Sequence, residues 1–443
     1  MVQHHAGKRI KVLMFGWEFP PFFAGGLGMA CYGLVKSLMK QNVDITLVLP
    51  KSVTQIQEDG LNVFGADQWE YLLASQRRLK EGSSLEMINV PSTLFSPYAS
   101  SSSPIDISIL SSDALAKVFQ SKQTYESALS REVYGPNLIN EVIRYNQTAG
   151  SIAATLDFDV IHCHDWMTYG AGMIAKQVSG KPLIVHVHAT EYDRAPYSGN
   201  SEVHHLERSG CEYADWVVAV SHFTKETLKT RYGIDERKIE VVHNGINFDE
   251  IPLSERPRSP EAPRILFLGR VTYQKGPNYF LEAASHVLRV KPQAEFIIAG
   301  TGDMIDYLKA RSVELGIADR ITFTGMLKED QVKNIYRQVD CFVLSSVSEP
   351  FGLTVLEALS HRLPVIISKQ SGVSEVLRHV LRYDFWDVER LASLILSVIT
   401  YNPLADELRH RALDDLHPVS WDQSAGRVKQ LYERALSYQY AYA

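Results

Sequence analysis

Residues 349–357 read Glu-Pro-Phe-Gly-Leu-Thr-Val-Leu-Glu, two carboxylates with a Pro-Phe-Gly-Leu turn between them. The apolar run at 341–345 ends just before this segment, so Glu349 falls at the carboxyl end of a strand. Open α/β sheets bind their ligands there. The residues after Gly352 predict a helix, so the backbone N–H groups of Gly352 and Leu353, which follow Phe351, form a positive helix start suited to a phosphate. Glu357 lies about two turns on, and the ~3.6-residue repeat returns it to roughly the same helix face. One carboxylate can meet a sugar and the other a ribose.

Working outward, short runs rich in β-branched residues alternate with helical patterns. They occur at 10–15, 43–49, 160–163, 183–187 and 216–220, and again at 265–268, 296–299, 321–323, 341–344 and 365–367. The runs are nearly continuous rather than alternating, which predicts parallel strands covered on both faces. A stretch at 251–263 with four prolines separates the two groups and predicts an interdomain linker. The expected organisation is α/β. Residues 1–255 form a first domain with an insertion at about 51–150, 256–418 form a second, and 419–443 form a terminal helix. The insertion has a weak pattern and a serine run at 100–103, which reads as a surface loop. In the tail, Trp421, Ala425, Val428, Leu431 and Ala435 recur at helical spacing.

The chain has 443 residues, enough for two domains, and 45% hydrophobic with 22% charged residues is an ordinary globular composition. A net charge of -6 provides no field to draw nucleic acid or anionic lipid, so any phosphate must be met locally. The apolar run at 10–15 is broken by Glu18 and Pro20-Pro21 before it reaches membrane-spanning length, and no basic amphipathic helix stands out. Cys31, Cys163, Cys211 and Cys341 are scattered, as reduced core cysteines of a cytoplasmic protein would be. The sequence carries no signal of oligomeric state.

Several residues have the chemistry for a phosphorylated substrate. Arg270 and Lys275 follow the run at 265–268, and they could hold phosphate oxygens by bidentate bonding and as a point charge. Alone they would read as surface basic residues. Gly25-Gly26 follows Pro20-Pro21 in a loop where a ligand can approach the backbone closely. His162 and His164 alternate along one run, as do His186 and His188 along another, so each pair faces one side. Two such pairs raise the possibility of a metal, but no third-ligand cluster accompanies them and no metal is assigned. The Asp157-Phe158-Asp159 triplet leads straight into a strand and reads as a turn.

The ordered set Gly25-Gly26-Leu27-Gly28, His162-Cys163-His164-Asp165-Trp166, His188-Ala189-Thr190, Gly269 through Gly276 and Glu349 through Glu357 resembles the retaining nucleotide-sugar glycosyltransferases of family 4. Among these it is most similar to glycogen and starch synthases. The resemblance implies the GT-B fold: two facing Rossmann-like doubly wound domains, a deep cleft between them, and a C-terminal helix that crosses back to the first. It also implies that Arg270 and Lys275 grip the donor diphosphate, with Gly25, Gly26, Phe351, Gly352 and Leu353 around it. Glu349 would lie against the transferred sugar and Glu357 on the ribose hydroxyls. His188 would lie beside the reacting carbon and Asp165 in the sugar and acceptor pocket, leaving His162, His164 and His186 as satisfied structural histidines. The implied activity is metal-independent transfer of glucose from a nucleoside-diphosphate glucose to an α-glucan, with no cofactor beyond that donor. Transfer to a small sugar acceptor or a lipid-linked sugar, or a non-catalytic sugar-binding role, stand as alternatives. Ala24 stands where the ADP-glucose-using members carry lysine, which leaves ADP, UDP and GDP donors open. Residues 382–387 also depart from the family pattern.

Overall fold

The computed structural model describes residues 9–20, 26–50, 61–65, 85–89, 138–196, 199–247 and 261–442. Gly25, Ala24, the serine run at 100–103 and most of the expected linker lie outside them.

Two wholly parallel sheets organise the chain. The first takes β1 (Ile10–Phe15), β2 (Val43–Leu49), β3 (Leu61–Gly65), β4 (Leu85–Asn89), β5 (Val160–His164), β6 (Leu183–Val187), β7 (Trp216–Ala219) and β8 (Ile239–Val241). Their spatial order is β3-β4-β2-β1-β5-β6-β7-β8. The second takes β9 (Arg264–Leu268), β10 (Glu295–Ala299), β11 (Ile321–Gly325), β12 (Cys341–Leu344), β13 (Val365–Ser368) and β14 (Leu381–Tyr383), in the order β11-β10-β9-β12-β13-β14. These are two Rossmann-like, doubly wound units. Continuous apolar runs make the inner strands because helices cover both sheet faces, and every residue of β5 and β6 is buried.

The sheets differ from the sequence reading at their edges. The 51–150 segment is not only a surface loop, because it supplies β3 and β4, which extend the first sheet beyond β2. It also supplies the start of the Leu138–Thr155 helix. The 382–387 departure begins inside β14, whose partner is β13.

The Trp421–Tyr442 helix joins the core of the first sheet. Trp421, Ala425, Val428, Leu431, Tyr432 and Ala435 are buried there with β1 and β5 residues. Its start lies on the Gly26–Lys40 helix, where the Trp421 ring sits so close over Gly33 that a β-carbon would overlap it at 2.3 Å. A backbone bond from Ile246 N–H to the Val419 carbonyl ties the same corner.

In each sheet the chain reverses winding direction beside one central strand. For the first sheet the reversal lies between β1 and β5, and for the second between β9 and β12. Ligand crevices form beyond the carboxyl ends of strands at such reversals. The segments leaving β5, β9 and β12 contain Asp165, Arg270 with Lys275, and Glu349.

A candidate active site between the two sheets

The segment after β12 is built to hold Glu349 still. Its N–H donates to the Gln370 carbonyl and its carbonyl accepts from Gly372 N–H, each at 2.9 Å, so the backbone is pinned to the segment after β13. Gly352 then turns at φ +111°, a region an L side chain rarely enters, and starts the Leu353–Ser360 helix. The first N–H groups of that helix have no acceptor within it.

The segment after β9 is stitched to this one. Val347 N–H donates to the Gln274 carbonyl at 2.9 Å, and the Gln274 amide donates to the Ser348 carbonyl at 3.2 Å. Gly276, at φ +61°, fits against the Ser345 carbonyl where a β-carbon would come within 2.1 Å. The consequence is a direct ion pair, with Lys275 Nζ 2.6 Å from Glu349 Oε2 and side chains only 19% and 9% exposed. Ser346 Oγ donates to the same carboxylate oxygen at 3.1 Å. Arg270 reaches Gln274 Oε1 at 3.0 Å, so the guanidinium is held beside the pair.

Glu357 lies in the Leu353–Ser360 helix and is half-buried. It accepts from the Tyr336 hydroxyl at 3.0 Å, and burial pushes its carboxyl up to about 7 despite that bond.

From the first domain, the segments after β5 and β6 are joined by Asp165. This residue is buried in a left-handed backbone position, φ 59°, and its Oδ1 accepts from His188 N–H at 2.7 Å and Ala189 N–H at 3.4 Å. Burial raises its carboxyl to about 6, against the lowering influence of Arg194 and the two N–H groups. Asp165 therefore acts here as a brace for the His188 backbone.

His162, His164, His186 and His188 form one stacked column. Neighbouring centroids are 4.5 Å apart for His162 and His164 and 4.3 Å for His186 and His188. The β5–β6 register places His164 opposite His186, which brings the two pairs together. Burial pulls His162 and His188 down to about 3, and His164 and His186 well below their ordinary value. His162 Nδ1 bonds to the Tyr432 hydroxyl at 2.6 Å and His164 Nδ1 to His188 Nε2 at 2.9 Å. The sequence reading expects His162, His164 and His186 to be satisfied, and they are not: His162 Nε2, His164 Nε2 and both His186 ring nitrogens are buried without a partner, as is His188 Nδ1. His162, His164 and His186 do bring ring nitrogens within 4.8 Å of one another. Cys31 Sγ lies within the same distance of ring nitrogens of His164 and His188, and the His162 and His186 ring planes are 11° apart.

Direct bonds join the two sides. Ser348 Oγ donates to Asp193 Oδ1 at 2.6 Å, and Asp193 Oδ2 in turn accepts from Thr190 N–H and Oγ1, each at 2.8 Å. The Glu191–Arg194 turn lies against the Tyr273–Lys275 turn. Gly26 opens its helix opposite the Leu353 side chain, 4.0 Å from where a β-carbon would sit. The structure thus brings together Asp165, His188, Arg270, Lys275, Glu349, Gly352 and Leu353 along one seam, with Gly26 at its edge. Sequence reasoning missed Asp193, Ser348, Gln274 and Tyr336. The only local signal among them was the Thr190-x-x-Asp193 spacing of a capping box, which the structure forms.

Residues 118–250 match the family model described as Glycosyltransferase Family 4, and residues 252–414 match Glycosyl transferases group 1. The chain therefore carries two glycosyltransferase domains, one of the family 4 type and one of group 1. An uncharacterized glycosyltransferase of Methanocaldococcus jannaschii is 27% identical over 96% of this chain and 99% of its own length. A glycogen synthase of Mycobacterium tuberculosis is 28% identical over 62% of this glycosyltransferase and 68% of its own length. In fold, a sucrose-phosphate synthase from Thermosynechococcus elongatus superposes with a TM-score of 0.71, at 16% identity, covering 97% of this chain and all of that one. That likeness is one of architecture, GT-B. No helix among the described residues is long and apolar enough to cross a membrane.

Proposed function

We propose that this glycosyltransferase moves glucose from a nucleoside-diphosphate glucose to an α-glucan with retention at the anomeric carbon and without a metal ion. The observation that carries the reading is the Lys275–Glu349 pair, which sits at the winding reversal of the second sheet beside a helix start. A diphosphate there meets Lys275, Arg270 and the N–H groups of Gly352 and Leu353, which together spread and hold the negative charge that grows as the sugar departs. Glu349 then lies on the sugar side of the phosphates and accepts from its hydroxyls.

Retention needs no protein nucleophile in this arrangement. Asp165 is tied up by two backbone N–H groups, and Glu349 faces a lysine. The acceptor hydroxyl attacks the anomeric carbon on the face the diphosphate leaves. The bond from that carbon to the phosphate oxygen breaks, and that oxygen takes the hydroxyl proton. Arg270 and Lys275 retain the departing charge, and Glu357 holds the ribose through the same carboxylate that accepts from Tyr336. The likeness to a glycogen synthase supports the glucan acceptor.

A second reading, transfer to a small sugar or sugar phosphate, is favoured by the D-inositol 3-phosphate glycosyltransferase of Mycolicibacterium smegmatis, 27% identical over 63% of this chain. Incubation with ADP-, UDP- and GDP-glucose, each with glycogen or a small sugar phosphate, separates the two by which pair releases nucleoside diphosphate. With the active pair, Glu349→Ala is expected to abolish release, and near-normal turnover by that variant would overturn the assignment.

A further inference from the structure

Glu349 is flanked on both sides by residues bonded to the opposite domain. Ser348 Oγ donates to Asp193 Oδ1 at 2.6 Å, and the Pro350 carbonyl accepts from Ser221 Oγ at 2.7 Å. The bonds of Glu349 itself run to Lys275, Ser346, Gln370 and Gly372, all of its own domain. Its own domain fixes its backbone, and its two neighbours in sequence tie it to the opposite domain. Ser221, Asp193 and Ser348 are all buried, so water is not a ready substitute partner.

The bonds continue in both directions. On the first-domain side, Asp193 holds Thr190, two residues past His188, and Asp165 holds His188 and Ala189. On the second-domain side, the Gly372–Glu375 turn starts beside Ser371, the bridge partner of Glu349. Its last residue, Glu375, accepts from His222 N–H at 2.8 Å and Phe223 N–H at 2.7 Å at the start of the His222–Tyr232 helix, and from His243 Nε2 at 2.9 Å. A third polar link thus crosses the seam near the same carboxylate.

We propose that Ser348 and Asp193 are a positioning pair that couples approach of the two domains to placement of Glu349. With the domains together, the serine is anchored and the carboxylate stands where the transferred sugar must be met. With the domains apart, that anchor is lost and Glu349 keeps only the partners of its own domain. This gives induced fit a specific part, in which separated domains leave the sugar incompletely held and open to water. The inference rests on the glycosyl-transfer reading of the site.

Ser348→Ala tests it, because it removes one hydroxyl and leaves the Asp193 bonds to Thr190 intact. With the active donor and acceptor pair, kcat is expected to fall about 10- to 100-fold, the loss of one buried hydrogen bond to a carboxylate expressed as a rate. The nucleotide dissociation constant, measured by calorimetry, is expected to stay near wild type, while the melting temperature falls by a few degrees because Asp193 Oδ1 loses a buried partner. The share of donor lost to water, read as free glucose against transferred glucose, is expected to rise. Asp193→Ala with Ser348→Ala is expected to lose no more activity than Asp193→Ala alone, since each acts through the other.

A Ser348→Ala enzyme with wild-type kcat and wild-type partition between acceptor and water would overturn the pairing, as would additive losses in the double variant. If Glu349→Ala were also active, the glycosyl-transfer reading itself would fall. An inactive Glu349→Ala beside a normal Ser348→Ala would remove only the coupling role.

Discussion

Replacing Lys275 with methionine keeps the aliphatic stem and removes the ammonium, leaving Glu349 Oε2 without its 2.6 Å partner. Breaking one side of a buried ion pair costs about 3–5 kcal/mol, and the 19% exposure of Lys275 argues for the lower end, about 3 kcal/mol. A domain of this size loses about 2–4 °C per kcal/mol, so Lys275→Met is expected to melt roughly 6–12 °C lower. Turnover is expected to fall about 10²- to 10³-fold, the scale for losing one group aimed at developing charge.

Adding Glu349→Gln to Lys275→Met removes the stranded charge and is expected to return most of the melting temperature. It is not expected to return activity. Differential scanning calorimetry and nucleoside-diphosphate release measure the two effects separately. A Lys275→Met enzyme that melts and turns over like wild type would refute the reasoning, because the pair would then be neither structural nor catalytic.

Gly352→Ala places a β-carbon at φ +111°, within 3.3 Å of Val373 Cγ1 and 3.4 Å of Glu349 Cγ. A loss of about 1–3 kcal/mol in urea unfolding is expected, with weaker nucleotide binding because the helix start shifts. The stacked histidines give a pH test. His162 sits near 3 in the folded chain and near 6.5 unfolded, so below pH 6.5 the unfolded chain binds the extra proton and the fold loses stability as pH falls toward 3. Asp165, Glu207 and Glu357 are raised by burial and act in the opposite sense, so the comparison must be with a variant. Relative to wild type, the stability of His162→Phe between pH 6 and 4 is expected to fall less steeply by about 1.4 kcal/mol per pH unit, measured by urea unfolding. Equal slopes would mean the ring is not held neutral.

The central strands were legible because parallel strands buried on both faces need nearly continuous apolar runs, which β12 has throughout and β1, β2, β5, β6 and β9 have apart from one or two polar residues each. Among the outer strands, β11 was legible, and β3, β4, β8 and β14 were not. β8 and β14 have three residues each, too few to show a period, and β3 and β4 sit in a segment of weak pattern. Glu349 and Lys275 could be placed near each other because both follow strands that flank one winding reversal, a property of local sequence plus topology. Asp193 and Ser348 could not, because their contact depends on how one domain meets the other, and no local pattern encodes that. Alternation put His162 with His164 and His186 with His188, but only the β5–β6 register merged the pairs into one column. Glu357 was expected on the face of Glu349, and its bond to Tyr336 required a helix, Glu329–Tyr336, whose packing the sequence did not announce.

The claim on which the mechanism turns is that Arg270 and Lys275, rather than a divalent ion, hold the donor diphosphate. Calorimetric titration of a nucleoside diphosphate in excess EDTA, for wild type and for Arg270→Ala with Lys275→Ala, addresses it directly. Binding by wild type in EDTA is expected, with a loss of about 100-fold or more in the double variant. Binding that needs Mg²⁺, or that survives loss of both cations, would contradict it.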